Sequence, residues 1–351
     1  MEKIAPALLD WFYRNRRSLP FRDDPTPYHI WVSEIMLQQT RVAAALPYYE
    51  RFIRELPDIP ALAACPPERL DKLWEGLGYY RRVHSMQKAA QQVCRQYGGH
   101  LPASYDALLA LPGIGPYTAG AIASIGFGLA APAVDGNVLR VFARLYNDSG
   151  PITDPAVKKR FTQRVMEHQP PDAPGDYNQA LMELGALVCL PGGAPLCAQC
   201  PLAALCEGRK AGAAEALPCK AAPKPRRVLP VTVALVQNAA TGEWLLQKRP
   251  EGGLLAGLWQ PPAFEGRQLD GPAVRQALAA LGLDPGSGEP APLPAAKHIF
   301  THVEWRMSGW KLTVPDQPAP GGCVWAGRDG LEGRYALPGA FKAYRKFLLE
   351  A

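Results

Sequence analysis

The chain has 351 residues, a formal net charge of +6, and 48% hydrophobic against 20% charged residues. This length predicts two or three domains, and this composition excludes wholesale disorder. No run reaches the ~18 apolar residues that a membrane-spanning helix needs, and the N-terminus lacks the segments of a signal peptide, so we expect an intracellular, cytoplasmic protein. The mildly basic balance suits a polyanionic partner, although many ordinary enzymes share it.

The first part of the chain, to about Glu207, has apolar residues at helical spacing between short loops rich in proline and glycine. This pattern predicts a helical domain over residues 1–210. One clear helix is predicted from Tyr28 to Leu46, where Glu34 shares a face with Gln38 and Arg41. A glutamate on such a face is usually just solvated.

The stretch LPGIGPYTAG, residues 111–120, predicts a tight turn that enters a helix. Gly113 and Gly115 lack a Cβ, so backbone amides at this helix start could bind a phosphate. The alternative is a glycine turn before a core helix. Asp135 follows an apolar run and, taken alone, could be a helix N-cap.

Four of the eight cysteines fall close together in the pattern C-x7-C-x2-C-x5-C. They are Cys189, Cys197, Cys200 and Cys206. In a cytosolic protein this predicts a metal site rather than disulfides. A compact four-cysteine loop over 189–206 favours an iron–sulfur cluster over zinc, which usually has two separate close pairs.

Residues 211–230 are rich in proline and alanine and are interpreted as a linker. Beyond it the hydrophobic period changes to two, which predicts strands at 231–237, 243–249 and 302–314. A helix is predicted near Ala273–Leu281. The second domain, 231–351, is therefore predicted to be α+β.

Five motifs occur in a fixed order: HIWVSEIMLQQTRV, GLGYYRR, LPGIGPYTAG, VDGNVLRV and the four cysteines. Together they resemble the helix-hairpin-helix DNA glycosylases with an iron–sulfur cluster, over roughly residues 4–210, and most of all the adenine DNA glycosylases of the MutY type. The resemblance implies an all-α helix-hairpin-helix catalytic domain followed by an α+β domain. It also implies a monomeric base excision repair enzyme that removes adenine opposite 8-oxoguanine or guanine from double-stranded DNA, holds one [4Fe–4S] cluster on the four cysteines, and associates with the nucleoid if bacterial.

The resemblance also implies residue roles at the site of chemistry. Glu34 would be the general acid that protonates N7 of a flipped adenine. Asp135 would face the sugar and stabilise the oxocarbenium ion or bond briefly to it. Tyr117 would hydrogen-bond near that aspartate, and Gln179 would read the adenine edge.

Four further positions are implied to bind DNA. Gln39 and Tyr79 match positions that wedge into the double helix and fill the gap left by the extruded base. Without the resemblance they would be interpreted as a surface glutamine and a half-buried tyrosine. Gly113 and Gly115 would hold a phosphate.

The second domain contains QKRPEGGLLAGLWQPP, which resembles the start of a Nudix fold. Its next helix, GPAVRQALAALGL, has no glutamate to bind a divalent cation, so pyrophosphate hydrolysis is not expected. Instead the resemblance implies recognition of 8-oxoguanine by Phe300, Thr301 and His302. Thr301 stands where the family has serine, which keeps the hydroxyl and adds a methyl group.

The chain departs from the family pattern and leaves two alternatives to weigh. Seven residues rather than six separate Cys189 from Cys197, which a proline- and glycine-rich turn could absorb. Leu139 stands where some relatives have lysine.

An endonuclease III-like lyase would need a lysine amine where this chain has Tyr117. A non-catalytic iron–sulfur DNA-binding protein would not need Glu34 and Asp135 together.

Overall fold

The computed structural model describes residues 4–220 and 225–349. The chain divides into two compact units, and both are discontinuous in sequence. The first comprises Met1–Ala64 and His84–Ala222, and the second comprises Cys65–Val83 and Pro223–Ala351. The domain boundaries predicted from the sequence place the segment Cys65–Val83 in the first domain rather than with the C-terminal part of the chain.

The α-helices of the described residues have the following bounds. In chain order they are α1 (Ile4–Asn15), α2 (Pro20–Asp23), α3 (Pro27–Leu37), α4 (Val42–Glu55), α5 (Ile59–Ala64), α6 (Pro67–Trp74), α7 (Arg81–Tyr97), α8 (Tyr105–Leu109), α9 (Pro116–Ala121), α10 (Gly136–Leu145), α11 (Pro155–His168), α12 (Pro174–Leu187), α13 (Glu207–Lys210), α14 (Gly271–Ala280), α15 (Arg328–Gly333) and α16 (Lys342–Leu349). One π-helical turn, Ile122–Gly126, continues α9. No helix of this described part is long and apolar enough to cross a membrane.

The prediction of a single helix from Tyr28 to Leu46 is wrong. It is two helices, α3 and α4, and the break contains Gln39 in the left-handed region with φ 62°. The apolar pattern continues on both sides of the break, so periodicity does not reveal it. As a consequence, Arg41 does not continue the helical face that carries Glu34.

One hydrophobic cluster of the first unit is contributed mainly by α1, α10, α11 and α12. Helix α3 is buried on almost every side, from Tyr28 to Met36. The side chain of Thr26 caps its first turn by accepting a hydrogen bond from the His29 amide. A helix buried all round holds its side chains in fixed positions, which matters for Glu34.

The second unit is built around one mixed sheet, which has seven strands within residues 225–349. They are β1 (Arg227–Asn238), β2 (Trp244–Lys248), β3 (Trp259–Gln260), β4 (Ala263–Glu265), β5 (Ala291–Ile299), β6 (Val303–Val314) and β7 (Cys323–Ala326). The order is β3–β2–β1–β6–β5, with β4 paired to β1 and β7 paired to β2. Strands β1 and β6 are parallel, with Val231 opposite Met307, and the other pairs are antiparallel.

Strand β1 has hydrophobic residues on both faces, because helices cover both sides of the sheet. Val233 and Leu235 pack in the cluster that includes α16, whereas Ala234 and Val236 pack in the cluster that includes α14. This alternation is the period of two seen in the sequence. The strand begins at Arg227, inside the segment interpreted as a linker.

Candidate active site

Glu34 lies on α3 and is buried, with 8% of its surface exposed. The hydroxyl of Tyr117, on α9, donates a hydrogen bond to Glu34 Oε2. The same hydroxyl lies 3.1 Å from Sδ of Met182, on α12. Three helices that are distant in sequence therefore meet at the Glu34 carboxyl.

The surroundings of Glu34 favour its protonated form. Burial is the largest cause and raises the pKa, the Tyr117 hydrogen bond opposes it, and the negative charge of Asp135 raises it further. Arg22 lowers the pKa slightly, and the net result is a pKa of about 7 against an ordinary value of 4.5. The sequence-based interpretation of a solvated glutamate is wrong, and Glu34 can hold a proton near neutral pH.

Asp135 is the N-cap of α10, so the cap interpretation is confirmed. Its Oδ1 accepts a hydrogen bond from the Val138 amide at 2.8 Å, and its Oδ2 accepts one from Asn137 Nδ2 at 2.7 Å. Burial raises the pKa of Asp135, and these hydrogen bonds reduce that rise. Capping does not exclude a chemical role. It fixes the Asp135 carboxyl in one orientation, and this carboxyl is close enough to Glu34 to raise its pKa.

The apolar run that follows the LPGIGPYTAG turn brings α9 against the segment that leads to Asp135. Gly120 allows this approach, because a Cβ there would lie 1.8 Å from the carbonyl oxygen of Pro132. Both Gly120 and Ala133 are fully buried. A larger residue at 120 would push Asp135 away from Glu34 or distort α9.

The turn itself joins α8 to α9, as a helical hairpin requires. Gly113 has φ 77°, and a Cβ there would lie 2.5 Å from Cβ of Ser85. Gly115 is the N-cap of α9, and an added Cβ would meet nothing within 4 Å. After Pro116, which has no N–H, the first amides of α9 have no partner within the helix and can donate to an anion.

Sequence reasoning missed a buried ionic cluster next to this site. Glu183, on α12, is 1% exposed and accepts hydrogen bonds from Arg17 (Nε, 2.7 Å; Nη2, 2.8 Å) and Arg22 (Nη2, 2.8 Å). Burial raises the pKa of Glu183, but these hydrogen bonds outweigh burial and lower it to about 2. The partners are separated by 161 to 166 positions, so no local motif identifies them.

Gln179 and Gln39 occupy different environments in the first unit. Gln179 is half-buried on α12 and lies one turn before Met182, so it faces the same side as the Tyr117 contact. Gln39 is exposed at the break between α3 and α4. Its left-handed backbone directs the side chain out of both helices.

Tyr79 and Thr301 are brought together within the second unit. Tyr79 has φ 50° and is 53% exposed, and its hydroxyl oxygen lies 3.3 Å from Oγ1 of Thr301. The neighbouring Phe300 packs between the rings of His298 and Trp305, at centroid distances of 4.5 and 5.0 Å. Thr301 and His302 are exposed in the turn between β5 and β6.

The four clustered cysteines line one small cavity, together with Arg144 and Arg209. Arg144 Nη1 lies 3.3 Å from Cys189 Sγ, and its Nε donates to the carbonyl of Leu217 at 2.9 Å. Burial, with smaller effects from the other cysteines, raises the pKa of Cys200 to about 11. Burial also raises the pKa of Cys206. Binding of a cation would favour the thiolate forms of these two residues, and Arg144 and Arg209 line the same cavity.

The four thiols surround one shared cavity, as the ligands of a single metal centre do. The loop that contains the additional residue is closed by a hydrogen bond from the Leu196 amide to Val188 O at 2.9 Å.

Comparisons with known proteins agree with both units. Residues 32–167 match the family described as HhH-GPD superfamily base excision DNA repair protein, and residues 232–346 match the NUDIX domain family. A solved structure of a thermostable thymine-DNA glycosylase superposes with a TM-score of 0.54 at 26% identity, covering 60% of this chain and 97% of that one. The fold predicted from the sequence, a helical glycosylase domain followed by a Nudix-like domain, is confirmed.

The fold and the motifs thus define a helix-hairpin-helix DNA glycosylase, an enzyme of base excision repair whose substrate is DNA. The human adenine DNA glycosylase is 34% identical, over 91% of this chain and 69% of its own length. The mouse adenine DNA glycosylase is 36% identical, over 91% of this chain and 72% of its own length. The chain belongs to the adenine DNA glycosylase family, hydrolases that act on the N-glycosidic bond.

Proposed function

We propose that the chain removes adenine paired with 8-oxoguanine or guanine from duplex DNA and leaves the strand intact. The observation that carries the chemistry is Glu34: a buried carboxyl with a pKa of about 7, hydrogen-bonded by Tyr117 and close to Asp135. The family supports adenine as the base. The identity of the base paired with the target adenine is inferred from Phe300, Thr301 and His302.

Glu34 is the general acid in this proposal. The target adenine leaves the base stack and enters the site, as glycosylases require. Protonated Glu34 gives its proton to N7, so the electron pair of the breaking C1′–N9 bond is taken up by a neutral leaving group. Water then attacks C1′ and loses a proton to the carboxylate that Glu34 has become.

Asp135 stabilises the positive charge that develops on the sugar. Its two hydrogen bonds, from the Val138 amide and Asn137, hold the carboxyl in place before the reaction. A preorganised negative charge lowers the barrier without reorganisation. A brief covalent bond from Asp135 to C1′ would use the same geometry.

Tyr117 argues against the lyase alternative. A Schiff base requires an amine, and a phenol cannot form an imine. The Tyr117 hydroxyl is also engaged by Glu34. We therefore expect base release without strand scission.

DNA recognition is divided among several surfaces. Amides near Gly113 and Gly115 hold a phosphate, and Gln179 reads the adenine edge. Gln39, exposed at a helix break, wedges into the duplex. The exposed ring of Tyr79 fills the gap beside the opposite base.

The second unit supplies recognition of 8-oxoguanine through Phe300, Thr301 and His302. Thr301 and His302 are exposed, and Phe300 anchors their turn by packing on Trp305. The hydroxyl of Thr301 can accept a hydrogen bond from the N7–H of 8-oxoguanine, which guanine lacks. Its contact with Tyr79 supports a shared role at one base.

A [4Fe–4S] cluster would be held by Cys189, Cys197, Cys200 and Cys206. When bound, it supplies four thiolate links that fix the loop 189–206 and a potential redox centre. We further propose a monomer that works in the cytoplasm and, if the cell is bacterial, associates with the nucleoid. No step of base release involves the cluster.

The test is a single-turnover assay on duplexes with adenine opposite 8-oxoguanine, guanine, cytosine or thymine. We expect adenine release opposite 8-oxoguanine and guanine, and strand breaks only after alkali. Strand breaks without alkali would support the lyase alternative. Binding with no base release on any duplex would support the non-catalytic alternative.

A further inference from the structure

A largely buried carboxylate is one of the groups that join the segment Cys65–Val83 to the rest of the second unit. Glu75 follows α6, and its side chain is only 10% exposed. Its Oε1 accepts hydrogen bonds from the Leu337 amide at 3.0 Å and Arg345 Nη1 at 2.9 Å. Its Oε2 lies 2.6 Å from Lys72 Nζ. Both carboxylate oxygens of Glu75 therefore have partners, which fixes the geometry of this contact. We call Glu75 with Lys72, Arg345 and the Leu337 amide the Glu75 joint.

The same segment carries Tyr79 four residues further on. The turn between them is fixed because Trp74 Nε1 donates to the carbonyl of Gly78 at 3.0 Å. Beyond this bond the ring of Tyr79 is exposed, with its hydroxyl oxygen 3.3 Å from Thr301 Oγ1. The position of the ring therefore depends on the Glu75 joint at one end and on Thr301 at the other.

We propose that Glu75 is a positioning residue that, with Arg345 and Lys72, holds Tyr79 beside Thr301 so that both side chains contact the base opposite the target adenine. This inference rests on the proposed function. One side chain supplies an aromatic face and the other a hydroxyl, and distinguishing 8-oxoguanine from guanine needs both at a fixed separation. A site that is about 1 Å too loose loses its selectivity even when every group is present.

The first experiment compares selectivity in Glu75→Gln and wild type. The quantity measured is the ratio of kcat/KM for adenine opposite 8-oxoguanine to that opposite guanine. We expect the ratio to fall about three- to tenfold, which is the effect of losing one hydrogen bond. The reaction opposite guanine should change little, because the site around Glu34 is untouched.

The matched control is Glu68→Gln. Glu68 accepts a hydrogen bond from Arg334 at 2.8 Å and joins the same two parts of the second unit, but both side chains are exposed. Exposed pairs contribute little, so this variant should keep the wild-type ratio. A fall equal to that of Glu75→Gln would overturn the inference, since any ion pair between the two parts would then have the same effect.

A double variant separates positioning from general stability. In a Thr301→Ala background, Glu75→Gln should leave the ratio unchanged, because the group that Tyr79 is positioned against is already missing. A purely structural role would lower both rates in parallel and leave the ratio at the wild-type value, which contradicts the proposal. If Glu75→Gln does not fold, Arg345→Met provides the same test, because Lys72 and the Leu337 amide still pair with Glu75.

Failure of the proposed function gives a different result. If wild type shows no preference for 8-oxoguanine, or Thr301→Ala and Tyr79→Ala keep the wild-type ratio, the recognition roles themselves are wrong. If those variants lower the ratio and Glu75→Gln does not, only the positioning role fails.

Discussion

Two buried glutamates in the first unit have pKa values that are shifted in opposite directions. Glu183 is hydrogen-bonded by Arg17 and Arg22, and its pKa is lowered to about 2. Burial, and to a smaller extent the negative charge of Asp135, raise the pKa of Glu34 to about 7 against the hydrogen bond from Tyr117. Environments that separate the pKa values of similar groups are typical of acid–base sites. The structural acid and the proposed general acid are distinguished by their partners.

Replacing Glu34 should abolish activity and stabilise the fold above neutral pH. The folded protein binds a proton at Glu34 between pH 4.5 and about 7 that the unfolded chain releases, so folding stability falls as pH rises through this window. A shift of this size corresponds to about 3 kcal/mol. Glu34→Gln should therefore unfold at higher urea concentration than wild type at pH 8, and the difference should vanish near pH 4.

The same variant should still bind duplex DNA but lose adenine release by about 10²–10⁴-fold. The measurement is single-turnover excision beside a binding titration. Full excision by Glu34→Gln would refute the general-acid assignment. Equal unfolding free energies at pH 8 would refute the raised pKa.

Tyr117→Phe should move the pH dependence of base release to higher pH. The activity of wild type should fall as pH rises through about 7, since the acid must be protonated. The hydrogen bond from Tyr117 lowers the pKa of Glu34, so removing the hydroxyl raises it and extends activity to higher pH. Tyr105→Phe is the control, because that hydroxyl donates to Pro116 O at 3.5 Å and not to an acid. An unchanged midpoint in Tyr117→Phe would contradict this coupling.

Single residues were predictable only where a linear motif carries them. Glu34, Tyr117 and Asp135 lie in motifs that resemble a family, and the structure brings them together. Glu183 and Arg17 lie 166 positions apart and belong to no motif. Their pairing arises from the packing of α1, α2 and α12, which local sequence does not encode.

At the scale of elements, hydrophobic period identified strands and helices but not their interruptions. The predicted strand 302–314 is observed as Val303–Val314, and the helix near 273–281 as Gly271–Ala280. Strand β5 was missed because its sequence, APLPAAKHI, contains two prolines. Proline is tolerated in this strand because β5 lies at the edge of the sheet.

Gly120→Ala tests whether the approach of α9 to the Asp135 segment is required. The added Cβ would lie 1.8 Å from a backbone oxygen, so we expect destabilisation at the upper end of the ~1–3 kcal/mol that overpacking costs. Adenine release should fall as well, because Asp135 moves relative to Glu34. For stability, the control is Gly136→Ala, where a Cβ meets nothing within 4 Å. Equal melting temperatures of the two variants would show that α9 adjusts freely.

At the scale of the whole molecule, the discontinuity of the second unit was not predictable. The contacts that join Cys65–Val83 to the C-terminal part link residues 262 and 270 positions apart. Neither periodicity nor composition changes at residues 65 or 83. The convergence of the four cysteines on one cavity, in contrast, was predictable because they fall within one short stretch.

The iron–sulfur cluster should be detectable in the purified protein, and the folded state of the cysteine loop should depend on it. We expect about four iron atoms per chain and broad absorbance near ~400 nm. Cys200→Ala should lose the iron and make residues 189–219 sensitive to protease, because Arg144 ties Cys189 to Leu217 across the loop. Residues 225–349 should remain resistant. Stoichiometric zinc with no iron would refute the cluster.

The joint at Glu75 also has an evolutionary consequence. Glu75 lies in the segment Cys65–Val83 and Arg345 in the C-terminal part, and a largely buried carboxylate joins these two parts of the second unit. A change at position 75 would remove the carboxylate partner of Arg345, and a change at position 345 would leave Glu75 with Lys72 and the Leu337 amide as partners. Positions 75 and 345 are therefore expected to change together among relatives of this chain, although 270 residues of sequence separate them.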